Sequence, residues 1–119
     1  MKVLIIEQEK TFLQSLSIFM QHRGDLEVFT AHSKREGTSL FQDIPFDMVI
    51  CGHRLPDGDG LEMLGEWVKS RPSLTSILMT ASHDEALRNE AKKIGILGYL
   101  EKPFDLKQLE EAMGLSDHG

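Results

Sequence analysis

A three-layer α/β sandwich, a parallel sheet between two layers of helices, is the fold class that three observations predict. The chain alternates apolar runs with amphipathic stretches five times, and strand-then-helix units imply parallel strands joined by right-handed crossovers. The runs Val3-Leu4-Ile5-Ile6 and Met48-Val49-Ile50-Cys51 are unbroken, as strands covered on both faces are. The 119 residues suffice for one domain with a conventional core and are too few for two ordinary ones.

The first apolar run is followed by Phe12, Leu16, Phe19 and Met20, a helical stripe expected to end at Gly24. Leu26, Val28 and Thr30 alternate with Asp25, Glu27 and Phe29, the pattern of a less buried edge strand. Ser33-x-x-Glu36 reads as a capping box for a second helix carrying Leu40, Phe41 and Ile44, which Pro45 stops. Met48 to Cys51 is the third strand, and Gly52 to Gly60 is a loop by composition. Asp59-x-x-Glu62 opens a third helix with Leu61, Leu64 and Val68 inward, and Trp67 beside them as packing. Arg71-Pro72 ends it. Ser76 to Thr80 is the fourth strand, and Ser82-x-x-Glu85 opens a helix with Leu87, Ala91 and Ile94 inward and Gly95 at its end. Gly98-Tyr99-Leu100 is a brief fifth strand, and a last helix from near Asp105 carries Leu106, Leu109 and Met113. We expect one domain over 1–119 with an ordered core of about 2–114, followed by a polar tail over 115–119.

Composition narrows the function. With 13 basic and 19 acidic residues, the net charge of −6 argues against a broad basic face that grips nucleic acid. Hydrophobic residues at 40% and charged ones at 27% are ordinary globular proportions. No apolar stretch is long enough for a membrane helix, and Met1-Lys2 runs into the first strand without a signal-peptide layout. The single cysteine, Cys51, excludes an internal disulfide and fits a reducing, cytoplasmic setting. It reads as a small buried apolar residue. In a doubly wound sheet, ligands sit beyond the carboxyl ends of the strands. The segments there are Glu7-Gln8-Glu9, Gly52 to Gly60, Thr80 to Asp84, and Glu101-Lys102-Pro103.

Those segments carry a family resemblance. Val3-Leu4-Ile5-Ile6-Glu7-Gln8-Glu9, Phe46 through Gly60, Leu78-Met79-Thr80-Ala81, and Gly98 through Phe104 together make the chain resemble the receiver domain of bacterial two-component response regulators. The resemblance spans Lys2 to Met113 and implies a flavodoxin-like, CheY-like (βα)5 fold with strand order 2-1-3-4-5. It also implies a site that takes a phosphoryl group from a histidine kinase. In that family an acidic pair after the first strand and an aspartate ending the third hold magnesium, and that aspartate is phosphorylated. Here the pair aligns with Glu7 and Gln8, and the acceptor with Gly52. Arg54 stands where a backbone carbonyl helps the metal. Thr80 matches the hydroxyl that bonds the phosphoryl group, Lys102 the lysine that pairs with it, and Tyr99 the aromatic switch residue. The pattern is that of a degenerate pseudo-receiver. No cofactor is expected, magnesium binding is expected to be weak or absent, and Glu7 alone remains as a metal-ligand candidate.

The resemblance implies further expectations. Lys102, without its usual partner, should pair with Glu7 in preference to Asp59, and the Lys102–Pro103 bond should be cis. Gly52→Asp alone should restore little. The fourth helix, fifth strand and fifth helix should present a partner surface including His83, Arg88, Lys92, Lys93, Tyr99, Glu101, Lys107, Glu110 and Glu111. Its two signs of charge suit a weak homodimer or a heterologous protein partner, with a covalently linked output domain as the other route. The leading function is a non-enzymatic signalling module independent of phosphorylation. Its rivals are a receiver that uses Asp57 or Asp59 as acceptor, and a flavodoxin-type cofactor binder. The second rival conflicts with the acidic Glu7 and Glu9 where a phosphate cradle is needed. His53 reads as a solvated loop residue, and Thr80 and Tyr99 also suit plain strand positions.

Overall fold

Parallel strands buried on both faces send alternate side chains into two separate cores, and this sheet does so along its whole length. The computed structural model describes residues 1–114. The elements are β1 (Lys2–Ile6), α1 (Lys10–Gln21), β2 (Glu27–Ala31), α2 (Lys34–Asp43), β3 (Met48–Gly52), β4 (Arg54–Leu55), β5 (Gly58–Asp59), α3 (Gly60–Ser70), β6 (Thr75–Thr80), α4 (Glu85–Ile94), β7 (Gly98–Glu101) and α5 (Leu106–Met113). The polar tail expected over 115–119 lies outside the described residues.

The main sheet is parallel with order β2-β1-β3-β6-β7. Counting only its own five strands, this is the expected 2-1-3-4-5. The labels differ because the stretch read as a plain loop contains a two-residue antiparallel ladder, with Arg54 opposite Asp59 and Leu55 opposite Gly58. Leu4, Ile6, Val49, Cys51 and Leu78 face α2, α3 and α4, where Phe46, Leu61, Leu64, Trp67, Leu87 and Ala91 complete one core. Val3, Ile5, Met48, Ile50, Ile77 and Met79 face α1 and α5, where Leu13, Leu16, Met20, Leu109 and Met113 complete the other.

Several local readings change. The buried face of α1 is Leu13, Leu16, Ser17 and Met20, while Phe12 and Phe19 lie at its margins. The helix ends at Gln21, with His22 still right-handed, so Gly24 is not its cap. Phe29 is not on a polar face; it meets Phe46 edge-on at 5.3 Å. Trp67 is core packing, stacked on Phe41 at 4.0 Å, and Val68 is only partly buried. Ile94 and Leu106 are 38% and 52% exposed, because each lies at a helix end beyond the last layer of the core. Gly95 ends α4 in the left-handed region, as expected.

Side-chain oxygens satisfy the orphan N–H groups at most helix starts. Ser33 accepts from Glu36 N at 3.1 Å, but the Glu36 carboxylate accepts from His32 N, so the box is half formed. Asp59 accepts from Leu61 N and Glu62 N to cap α3. Asp84, not Ser82, caps α4 by accepting from Ala86 N, while Ser82 accepts from Asp84 N. Asp105 and Gln108 form a reciprocal capping box at α5. Asp57 accepts from Lys34 N at 2.7 Å and Arg35 N at 2.9 Å, pinning the β4–β5 ladder to the start of α2.

Those two backbone bonds, from Arg35 and then Lys34, hold the Asp57 carboxyl below its ordinary value. A folded value below the unfolded one means that the stabilisation is present above the unfolded pKa and is lost as pH falls through the folded one. Asp57→Asn should therefore lower the melting temperature at neutral pH, and the difference from wild type should shrink below about pH 4. Melting curves at pH 7 and pH 3 check this.

Gly60 makes the closest backbone approach in this region. Its N–H donates to the His53 carbonyl at 2.7 Å, and a Cβ there would overlap the carbonyl oxygen of Gly52 and meet the Cys51 sulfur. Gly60→Ala should cost about 3 kcal/mol, the upper end for overpacking, as measured by urea denaturation.

Candidate pocket at the carboxyl edge of the sheet

The strand ends gather a cavity of about 150 Å³, with Glu7, Gln8, Gly52, His53, Arg54, Thr80, Ser82 and Lys102 among its walls. Each wall comes from a different strand end: Glu7 after β1, Gly52 at the end of β3, Thr80 at the end of β6, Lys102 after β7. Thus Glu7, Gln8, Gly52, Arg54, Thr80 and Lys102 are brought together. Tyr99 is not in the cavity; β7 pairs it with Leu78 and leaves it on the α4 side.

Glu7 is only 2% exposed, so its carboxylate needs partners. Lys102 Nζ donates to Glu7 Oε1 at 2.9 Å, and Glu9 N donates to Oε2 at 2.8 Å. The ammonium also lies 4.4 Å from the centre of the Phe12 ring, a cation–π contact. Phe104 closes on the same ring edge-on at 5.7 Å. The Lys102 backbone is held as well: its N–H donates to the Thr80 carbonyl at 2.7 Å. The Lys102–Pro103 peptide is cis, as expected.

Gly52 puts no side chain into the centre of the pocket. A Cβ built there would lie 3.0 Å from Glu7 Oε1, so the glutamate leans over the glycine. Thr80 is buried, and its Oγ1 accepts from Ser82 N at 3.0 Å. The same oxygen is 3.4 Å from His53 Nδ1. His53 is therefore not the free loop residue that its sequence context implies. Its main-chain N–H donates to the Met79 carbonyl at 2.8 Å, which draws the ring over the end of β6. Composition gave no signal for this contact, nor for Phe12 beneath Lys102, because both join segments far apart in the chain. Arg54 is exposed on the ladder. Cys51, fully buried beneath the pocket, has its thiol pushed up by burial and then by the charges of Glu7 and Asp59, so it is a packed thiol rather than a reactive one.

The acids proposed as substitute acceptors are engaged elsewhere, Asp57 on α2 and Asp59 on α3. A magnesium site of the kind the resemblance implies does not fit these donors. Both oxygens of Glu7 have partners, Gln8 supplies a neutral amide, and position 52 supplies no carboxylate. Among the described residues no three His, Cys, Asp or Glu side chains converge as metal ligands would.

On the neighbouring face, the Arg88 guanidinium lies 4.8 Å from the Tyr99 ring centre and donates to Glu101 Oε1 at 3.3 Å. His83 Nδ1 is 3.7 Å from the same carboxylate oxygen, and His83 Nε2 is 3.2 Å from the Lys102 carbonyl. The Tyr99 hydroxyl is buried without a hydrogen-bond partner. Burial first, and then the Glu101 charge, push it up against the opposing effect of Arg88. Arg23 pairs with Glu110 at 2.6 Å. The expected partner surface is thus less open than its sequence implies: Arg88, Glu101 and Glu110 already have partners within the chain, while Lys92, Lys93 and Lys107 are exposed.

Comparison with known proteins agrees with this architecture. Residues 3–114 match the model of the response regulator receiver domain. The chain is 31% identical over 110 residues to the transcriptional regulatory protein PmrA of Pectobacterium parmentieri, covering 92% of this chain and 49% of that protein. It is 33% identical over 108 residues to the regulatory protein AtoC of Escherichia coli, covering 91% of this chain and 23% of that protein. The chain therefore spans half or less of these relatives. Among solved structures, a response regulator receiver domain protein from Clostridium thermocellum superimposes with a TM-score of 0.84 at 32% identity, over 95% of this chain and 90% of that one. The chemotaxis response regulator CheY4 of Vibrio cholerae gives 0.83 at 28% identity, over 95% of each chain. The receiver-domain match over residues 3–114, on a parallel sheet with a pocket at its carboxyl edge, places this chain in the response regulator receiver domain family.

Proposed function

We propose that this chain is a pseudo-receiver: a signalling module of a two-component system that works through protein contacts and not through a phosphoryl group. The observation that carries this reading is at Gly52. The family's acceptor position has no carboxylate, and Glu7, the acid leaning over it, is already bonded to Lys102. An acyl phosphate needs a carboxylate oxygen free to attack at the acceptor position. Glu7, Asp57 and Asp59 are engaged by the chain itself, and Glu9 lies exposed at the rim, not at position 52. The same donor set supports weak or absent magnesium binding, and with no nucleophile the module is not an enzyme. A cytoplasmic setting suits a two-component partner and the lone reduced, buried Cys51. Among the described residues no helix is long and apolar enough to cross a membrane.

The output of the module is a protein partner or a covalently linked output domain. The greater length of the relatives supports the linked domain, since this chain matches 49% of one and 23% of another. Direct nucleic-acid binding by this domain is disfavoured by its charge of −6. The contact face is that of α4, β7 and α5, with Lys92, Lys93 and Lys107 as its exposed cations.

Incubation with acetyl phosphate and magnesium, followed by intact-mass measurement, should show no added phosphoryl mass on the wild-type chain. A stable gain of one phosphoryl group sinks the proposal. Association through the α4–β7–α5 face, whether with a second copy or a partner, should weaken as salt rises. Lys92→Glu with Lys93→Glu, which breaks no ion pair among the described residues, should weaken it at least about tenfold by sedimentation or pull-down, the equivalent of about 1.4 kcal/mol. Unchanged association would move the interface elsewhere.

A further inference from the structure

We infer that Glu7 is a stand-in carboxylate: it supplies from β1 the negative charge that position 52 no longer supplies from β3, and its pairing with Lys102 holds the pocket in one state without metal or phosphate. The inference rests on the reading of Gly52 given above and extends it to what replaces the lost chemistry.

Five observations lead to it. Glu7 Oε1 is 3.0 Å from where a Cβ of residue 52 would lie, so the carboxylate fills space that a side chain at 52 would need. That same oxygen takes the Lys102 ammonium at 2.9 Å. The other oxygen takes Glu9 N, which tethers the carboxylate from its own loop. Lys102 is in turn fixed by Phe12 below and by its backbone bond to Thr80. A partly buried lysine whose acidic partner is deleted must find another or turn out to solvent. Here it has found the longer acid of the neighbouring strand, and the glycine at 52 gives that acid room to lean in. Position 52 and Glu7 are therefore coupled. An aspartate at 52 would set a second carboxylate against the first, and it would offer Lys102 a nearer partner. In that background Glu7 becomes a surplus charge, since like charges in one site oppose each other.

The functional consequence is a pocket whose charges are balanced internally. Lys102, which ties the end of β7 to β6, is held the same way at all times, and the adjoining Glu101–Arg88–Tyr99 face keeps one posture. Signals then reach the module by contact with that face.

The test is a double-mutant cycle of thermal unfolding in EDTA, without any phosphodonor: wild type, Glu7→Gln, Gly52→Asp, and the two together. Glu7→Gln should lower the melting temperature of the wild-type chain by several degrees. In the Gly52→Asp background the same substitution should cost less than half as much, or should raise the melting temperature. An equal loss in both backgrounds, or one reduced by less than half, overturns the inference. If Glu7→Gln alone leaves no folded protein, the double variant must still fold, and its failure to do so also overturns the inference. Because no phosphate enters the experiment, its outcome is independent of whether the wild-type chain can be phosphorylated.

Discussion

The Glu7–Lys102 ion pair joins the loop after the first strand to the loop after the last, across a sheet edge whose centre carries only a glycine. Both charges are largely removed from water, with side-chain exposures of 3% and 21%. Desolvation makes each of them costly alone, and deleting one partner of such a pair typically costs about 3–5 kcal/mol. The rest of the edge is arranged around this requirement. Phe12 and Phe104 shield the ammonium, Glu9 N–H and Lys102 N–H close the neighbouring backbone, and Thr80 is held in place by Ser82 N.

The allocation of carboxylates decides what chemistry this edge can perform. Glu7 serves a lysine, Asp57 the start of α2, Asp59 the start of α3, and Asp84 the start of α4. Helix N-termini favour such anions because their first N–H groups lack helical partners and carry partial positive charge. These four acids are thus structural ligands of the protein's own N–H or ammonium groups, while Glu9 stands exposed at the pocket rim. A carboxylate committed in this way is a poor nucleophile and a poor metal ligand.

The α4–β7 side shows the same self-satisfaction in weaker form. Arg88 and His83 converge on Glu101, and Arg88 covers the Tyr99 ring. Exposed ion pairs are individually worth about 0–1 kcal/mol, so a binding partner can replace them at small cost. The buried, unpaired Tyr99 hydroxyl is the one group on this side that a rearrangement would improve. Lys92 and Lys93 on α4 are exposed, pair with no acid among the described residues, and supply longer-range attraction.

Much of this was legible without coordinates, and the rest was not, for a physical reason. Unbroken runs such as Val3 to Ile6 specify buried parallel strands because the period of the side chains and the twist of the sheet are local properties. Gly95 and Asp105 mark their helix ends because caps act within a few residues. The missing carboxylate at Gly52 was likewise visible as a letter in the sequence. Other features were invisible: Asp57 reaching 23 residues back to α2, His53 settling over Thr80, the β4–β5 ladder, and the exposure of Ile94 and Leu106. Each depends on the distance between segments that meet only after the sheet has closed. The sequence by itself determined the fold, its pocket edge and the glycine at position 52, since these follow from residue type and local period. Only the tertiary structure decided which acid answers Lys102, because that choice depends on which carboxylate the closed sheet brings within reach of a partly buried ammonium.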